Sequence, residues 1–219
     1  MIASSAQAAT AENKAKPKAE EEDVFEISMV EDLMREHGLL GRVLLIYDEA
    51  ANRIEDQKDV RPDSLADAAR VVRSYLEDCH EKLEEELVFA RLKKAGKLVD
   101  VVEVLTAQHK AGRKLTDVTL RLANAQSLKR ADDRRRLSDA LRLYSQMFRP
   151  HVAREDSALF PTFEDVVSAD EYAALGEQFA KKEQQLLGAD GFAKSIDKIV
   201  AIEKSLGIYD LAQFTPRVD

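Results

Sequence analysis

The chain has 219 residues, which is long enough for one well-buried core. Its few glycines (8) and prolines (5) and its 34% of charged residues favour long amphipathic helices over sheets, so the predicted class is all-α. The net charge of −8 argues against a nucleic-acid partner, and no apolar run approaches the roughly 20 residues of a membrane-spanning helix.

Residues 1–25 are predicted to form a disordered tail, because they show no apolar periodicity. The segment Ala6-Gln7-Ala8 resembles the small-residue end of an export signal, but the basic and apolar segments that normally precede it are missing. The tail is therefore either the trimmed end of such a signal or a low-complexity extension. This leaves the bacterial cytoplasm and the periplasm both open, with the cytoplasm preferred.

The first two helices are predicted over residues 28–55 and 62–95. The first begins at Ser28-Met-Val-Glu31, a capping box that satisfies the free N–H groups at a helix start. Pro62 suits the first turn of the second helix, and Gly96 suits the position just after its end.

Two further long helices follow at once. Helix three is predicted over residues 98–125, and helix four extends from the next turn to about Phe160, where Pro161 is expected to end it. Short loops make consecutive helices antiparallel, so these four helices predict an up-and-down four-helix bundle over residues 26–165.

The last part of the chain, residues 166–219, is predicted to be a helical extension packed on the bundle. Its first helix opens with a second capping box, Ser168-Ala-Asp-Glu171, and continues to about Leu187. A shorter helix then ends near Gly207.

Each of the first four predicted helices carries one of the four histidines of the chain. Two of these histidines have a glutamate four residues later, which places an imidazole and a carboxylate on one helix face about 6 Å apart. Residue counts from the predicted loops place all of these side chains at one level of the bundle. The predicted metal ligands are His37, His80, Glu84, His109, His151 and Glu155.

Four imidazoles and two carboxylates in a dry core are costly without a partner, and a metal cluster removes that cost. The set supplies two ions with two terminal histidines each and two shared carboxylates, which suits iron or manganese. Such a centre has open positions for water, oxygen, nitric oxide or peroxide. A single helical histidine is more often a core or surface residue, so the prediction depends on the conjunction of six side chains.

The segments that carry these residues resemble the hemerythrin-like family, also described as the HHE cation-binding domain. The resemblance covers about residues 28 to 165, and its characteristic segments are Glu36-His37-Gly38, 80–89, Gln108-His109-Lys110 and 150–161. It implies an up-and-down bundle around two oxo- or hydroxo-bridged irons. By the same resemblance, the two glutamates Glu84 and Glu155 bridge the ions.

The resemblance has one important departure. Oxygen-carrying hemerythrins have a fifth histidine at the position of Arg113, and they place an aspartate at the position of Asp156, next to Glu155. The pattern of four histidines and two glutamates is instead similar to bacterial iron–sulfur repair proteins and to the iron-sensing domain of a ubiquitin-ligase subunit. We therefore expect the protein to react with, or to sense, a small oxidant rather than to store oxygen.

Several side chains near the predicted ligands have open roles. Tyr144 could reach a bridging oxygen, but a purely structural core role is favoured. Cys79 is expected to be a buried structural thiol, and Arg113 to lie beside the cluster, where it could attract an anion. The remaining acids, expected either to support the ligands or to be solvated, are Glu85, Glu86 and Asp156.

Three functions remain open on these grounds. The first is a di-iron protein that binds and reacts with oxygen, peroxide or nitric oxide, with peroxidase-like or nitric-oxide-reducing turnover undecided. The second is a non-catalytic iron or oxygen sensor, or an iron donor, whose C-terminal helices contact a partner. The third is a purely structural bundle.

Overall fold

The computed structural model describes residues 27–218, so the predicted tail over residues 1–25 lies outside the described residues. Between these limits the chain is helical and contains no strand, which confirms the all-α prediction. The helices are α1 (Met29–Glu55), α2 (62–95), α3 (Val99–Leu122), α4 (131–166), α5 (Ala169–Leu187) and α6 (Gly191–Leu206). Two helices contain wider π-helical turns, at Val72–His80 and Glu84–Phe89 in α2 and at Glu155–Leu159 in α4.

The predicted helix ends are largely confirmed. Ser28 forms the complete capping box with Glu31, and Gly96 ends α2 in the left-handed conformation at φ 65°. At the start of α5, Ser168 accepts a hydrogen bond from the Glu171 backbone, but the reciprocal bond is not formed. The Glu171 carboxylate accepts from Arg91 on α2 instead, at 3.3 Å.

Two predicted helix boundaries are wrong. Helix α3 ends at Leu122 rather than Ala125, because Ala123 leaves the helical conformation. Helix α4 does not end at Pro161 but continues to Val166. The π-helical turn directly before the proline changes the hydrogen-bond register there, so the missing N–H and the ring fall where the α-helical ladder is already interrupted.

The first four helices form a square bundle in which α1 and α3 each pack against both α2 and α4. Helices α5 and α6 cover the side made by α1 and α2, where Arg42 Nε on α1 donates to Glu203 Oε1 on α6 at 2.9 Å. Among the described helices, none is long and apolar enough to span a membrane.

The interior contains two separate apolar cores. One lies toward the C-terminal half of α1 and includes Tyr47, Leu76, Leu141 and Phe148, and the other lies toward its N-terminal half. Each of the four histidines falls along its helix between residues of the two cores. The bundle thus has a polar layer between two apolar ones.

The packing of α3 on α4 next to this layer depends on Gly112. A Cβ atom added there would lie 2.8 Å from the Phe148 ring, closer than real Cβ contacts allow. Phe148 in turn packs against His151, with ring centroids 5.0 Å apart. The absence of a side chain at Gly112 therefore leaves the room that the Phe148 ring occupies beside a histidine of the polar layer.

We expect Gly112→Ala to lower the free energy of unfolding by about 1–3 kcal/mol, because Phe148 is fully buried and must move. Gly176→Ala is the matched control, since it lies inside α5 with no atom within 4 Å of an added Cβ. The control should be neutral or gain up to about 1 kcal/mol. Urea unfolding followed by circular dichroism measures both variants, and equal stability of the two would contradict the packing argument.

Candidate metal centre

The four histidines form two pairs that face each other in the polar layer. The ring centroids of His37 and His80 are 5.0 Å apart, and so are those of His109 and His151. The Nε2 atoms of His109 and His151 approach to 3.2 Å. All four rings are at most 5% exposed, so the layer is dry.

Two glutamates lie between these histidine pairs. Glu84 places Oε1 3.5 Å from His80 Nε2, and its Oε2 lies 3.5 Å from His109 Nε2. Glu155 places Oε2 3.1 Å from His151 Nε2 and 3.5 Å from His37 Nε2. Each carboxylate therefore spans both pairs, and all six predicted side chains meet in one cluster.

The outer nitrogen of every histidine is occupied by an acceptor oxygen. A histidine whose Nδ1–H donates to such an oxygen carries its lone pair on Nε2, in the form that binds metals. All four Nε2 atoms therefore present lone pairs to the centre of the layer. The acceptors for His37, His80, His109 and His151 are, in that order, Asp156 (2.7 Å), Glu36 (2.6 Å), Glu85 (2.9 Å) and Gln108 (2.9 Å).

This arrangement leaves the inner atoms without complementary partners. The facing Nε2 atoms of His109 and His151 are both acceptors, and both carboxylate oxygens of Glu84 and of Glu155 have no hydrogen-bond donor. Buried acceptors that face one another are unfavourable unless a cation lies between them. The donor set, imidazole nitrogen with carboxylate oxygen, fits a bound metal.

The spacing of the ligand atoms also fits a metal. Ligand atoms bound about 2.1 Å from one ion stand roughly 3.0–3.4 Å apart, and the histidine–glutamate separations here run from 3.1 to 4.0 Å. The potential ligand atoms fall into three overlapping groups. The third joins Glu81 and Glu85 to His109, and the first two share Glu84. One contains His37 and His80, and the other contains His109, His151 and Glu155.

Burial keeps two of the histidines, His80 and His109, in the neutral form that binds metals. Burial lowers the pKa of His80 well below its usual value and also lowers that of His109, so both imidazoles stay neutral. Burial, together with the neighbouring Glu155, raises the pKa of Glu84 well above its usual value. The Glu84 carboxyl thus needs nearby positive charge before it can ionise beside Glu155.

Aromatic rings hold the imidazoles in place. The Phe160 ring stacks on His37 at 5.6 Å between centroids, and Phe89 stacks on His109 at 5.5 Å. Both phenylalanines are buried, so they exclude water from the sides of the cluster and fix the ring planes.

Sequence reasoning missed Glu36 as a functional residue. Its buried carboxylate binds His80 Nδ1 and also accepts from the Tyr75 hydroxyl at 2.5 Å. Burial raises its pKa to about 8. The signal was available, because a metal-binding histidine usually donates its outer N–H to a carboxylate, and Glu36 adjoins His37 at the same level of the bundle.

The structure separates the roles of the remaining acids. Glu155 faces the centre, whereas the neighbouring Asp156 turns outward to the Nδ1 atom of His37. Glu85 supports His109, but Glu86 is exposed and pairs with Lys182 on α5.

Three further side chains near the cluster, for which the sequence left the role open, can now be described. The Arg113 side chain does lie beside the cluster, but it pairs with Glu81 and Glu85, so it is not free to attract an anion. Tyr144 packs against Phe148 at 4.4 Å, as a core aromatic does. Cys79 is buried, as predicted, and burial raises its thiol pKa to about 12.

Comparison with known proteins places this geometry in a family. Residues 28–163 match the hemerythrin HHE cation-binding domain. The chain is also 43% identical, over 93% of its length and 80% of theirs, to the uncharacterised proteins Rv1995 of Mycobacterium tuberculosis and Mb2018 of Mycobacterium bovis. No solved structure gave a significant match. With a domain match over more than half of its length, the chain belongs to the hemerythrin HHE cation-binding domain family.

Proposed function

We propose that the protein holds two iron ions in its polar layer and that this centre binds and reacts with a small oxidant: oxygen, peroxide or nitric oxide. Manganese could replace one or both ions, because it accepts the same ligands. The observation that carries the proposal is the convergence of four histidine Nε2 atoms on two buried carboxylates that have no hydrogen-bond donor. The proposed ligands are His37, His80, Glu84, His109, His151 and Glu155.

The chain divides these ligands between two positions. His37 and His80 serve one ion, His109 and His151 serve the other, and Glu84 and Glu155 each span both. Bound iron would supply open coordination positions and the electrons for reducing a ligand. The residues themselves orient the imidazoles through their outer hydrogen bonds and exclude bulk water through the surrounding rings.

The space beside the ligands supports a very small reactant. A cavity of about 10 Å³ lies among side chains that are all buried, which is room for about one water-sized molecule. Its walls combine apolar and ligand side chains: His37, Leu40, Leu76, His80, Glu81, Phe148, His151 and Glu155. A diatomic molecule or peroxide fits this space, whereas an organic substrate does not.

A surface pocket lies next to this cavity, because His151 lines both. It has a volume of about 330 Å³, lies between α3 and α4, and is lined mainly by apolar atoms of residues such as Val104 and Leu105. His151 and its partner Gln108 form part of its wall. An apolar entrance favours uncharged small molecules such as oxygen and nitric oxide.

One contact supports the alternative function, a sensor or iron donor without turnover. The Tyr75 hydroxyl contacts both Glu36, the partner of His80, and Glu183 on α5 at 3.0 Å. The C-terminal helices are therefore connected to the ligand shell through two side chains. A change in metal occupancy could alter their stability in this way.

The proposed function is tested by metal analysis and stopped-flow spectroscopy on protein expressed in iron-replete medium. We expect two iron ions per chain and a spectral change on mixing the reduced protein with oxygen, peroxide or nitric oxide. No response to any of the three would contradict the reaction with oxidants. In that case, metal-dependent hydrogen-exchange protection of residues 168–207 would favour the sensor, and the absence of iron, manganese and zinc would leave a structural bundle.

A pair of adjacent substitutions tests the ligand assignment. Glu155→Gln should lower the metal content from two ions toward one, because it removes a carboxylate that spans both positions. Asp156→Asn keeps an acceptor oxygen for His37, so we expect two ions with affinity lowered by no more than about tenfold. Metal content after gel filtration measures both, with circular dichroism as the folding control. The reverse order would make Asp156 the ligand.

A further inference from the structure

The surface pocket between α3 and α4 is larger than the proposed small oxidant requires. Its volume is about 330 Å³, whereas the cavity beside the ligands has about 10 Å³. Pockets that bind small organic molecules begin at roughly 300 Å³. His151 lines both spaces, so the side chain of one proposed metal ligand borders each of them. The outer pocket therefore has the size and the position for a second, larger reactant.

The walls of this pocket suit an uncharged molecule with an apolar ring. Asp100 and Arg154 both belong to the lining, so one negative and one positive charge offset each other there. A flat ring that lies between two helices buries apolar area on both of its faces. Both helices contribute apolar side chains to these walls: Val101, Val104, Leu105 and Pro150.

Gln108 supplies an uncharged polar group to the same pocket. Its Oε1 atom accepts from His151 Nδ1 at 2.9 Å. The amide also has an NH₂ group, which can donate to an oxygen atom of a bound molecule. One side chain can therefore hold a hydroxyl oxygen next to a proposed metal ligand.

The proposed reaction with peroxide also needs a source of electrons. Reduction of peroxide to two waters consumes two electrons and two protons, and repeated turnover requires that they be replaced. Cys79 is the single cysteine of the chain, and it is buried with its pKa raised to about 12, so it is unsuited to act as a thiol reductant. The electrons must therefore come from a separate molecule that comes close to a metal ligand.

We propose that this pocket binds an uncharged hydroquinone, which donates electrons to the centre through His151. The inference rests on the proposed two-metal function and names the class of its reductant. The hydroquinone becomes a quinone: its two O–H bonds break, two C=O bonds form, and two electrons and two protons leave. Peroxide takes up two electrons and two protons, its O–O bond breaks, and two waters form. The protons released to solvent balance those that peroxide takes up.

The chain offers a matched pair of substitutions for this proposal. Val104 on α3 lines the pocket and Leu143 on α4 does not, yet their side chains have similar exposed fractions, 56% and 54%. Val104→Trp should fill the pocket, whereas Leu143→Trp adds the same ring outside it. Both positions are exposed, so we expect both variants to fold.

Binding is tested by fluorine NMR titration of the full chain, with and without bound metal, using para-fluorophenol as the probe. This probe has the ring and a hydroxyl group of the proposed reductant but a single O–H bond. We expect saturable binding with a dissociation constant of about 1 mM or below. Val104→Trp should weaken binding by about tenfold or more, and Leu143→Trp by no more than about twofold.

Turnover is tested by following quinone formation from hydroquinone and peroxide with the iron-loaded protein. Val104→Trp should lower kcat/KM for hydroquinone by about tenfold or more, because the reductant no longer reaches His151. Its iron content, and its reaction with peroxide before hydroquinone is added, should match those of the unaltered chain. Leu143→Trp should leave all of these quantities unchanged.

Two results would overturn the proposal. If the probe does not bind saturably, or if Val104→Trp binds it and oxidises hydroquinone as Leu143→Trp does, the pocket is not the reductant site, although the two-metal function stands. If the probe binds in the pocket but the iron-loaded protein does not react with peroxide, the proposed function fails, and the role of the pocket as a reductant site fails with it.

Discussion

The structure depends on one electrostatic constraint, the meeting of acceptor atoms in the polar layer between two apolar cores. Four histidines donate their outer N–H groups away from the centre, and this turns four lone pairs inward onto Glu84 and Glu155. Without a cation such an arrangement opposes folding, because acceptors face acceptors in a dry interior. The two apolar cores supply the stability that holds these groups together.

The outer partners give the proposed centre an asymmetry. His37, His80 and His109 each donate to a carboxylate, whereas His151 donates to the neutral amide oxygen of Gln108. A carboxylate partner raises the basicity of a ligating imidazole more than an amide does. As a metal ligand, His151 would therefore be the weakest donor of the four, and it also lines the surface pocket.

Much of the fold could be predicted from the sequence, because the helix ends and the apolar faces depend on residues that are close together in the chain. Capping at Ser28, the left-handed turn at Gly96 and the periodic apolar faces depend on neighbouring residues alone. Pro161 misled the prediction, because a π-helical turn ends directly before it and the helix continues beyond the proline. Helix-end rules based on neighbouring residues do not predict such a change in the backbone hydrogen-bond register.

The candidate site also has a part that could be predicted from the sequence and a part that could not. The pairs His80 with Glu84 and His151 with Glu155 could be found from their spacing of four, which any helix brings to one face. Glu36 was missed because its importance comes from another helix: it meets His80 across the bundle. An acid in a chain with 41 acidic residues carries no sequence signal of that kind.

The most direct test of this account is X-ray absorption spectroscopy at the iron edge on the loaded protein. We predict imidazole scattering from about two histidines per ion, together with a second metal scatterer close to the first. Such a spectrum requires two ions within one cluster of four histidines. A spectrum that shows an isolated ion, or ions without imidazole ligands, would contradict the central claim.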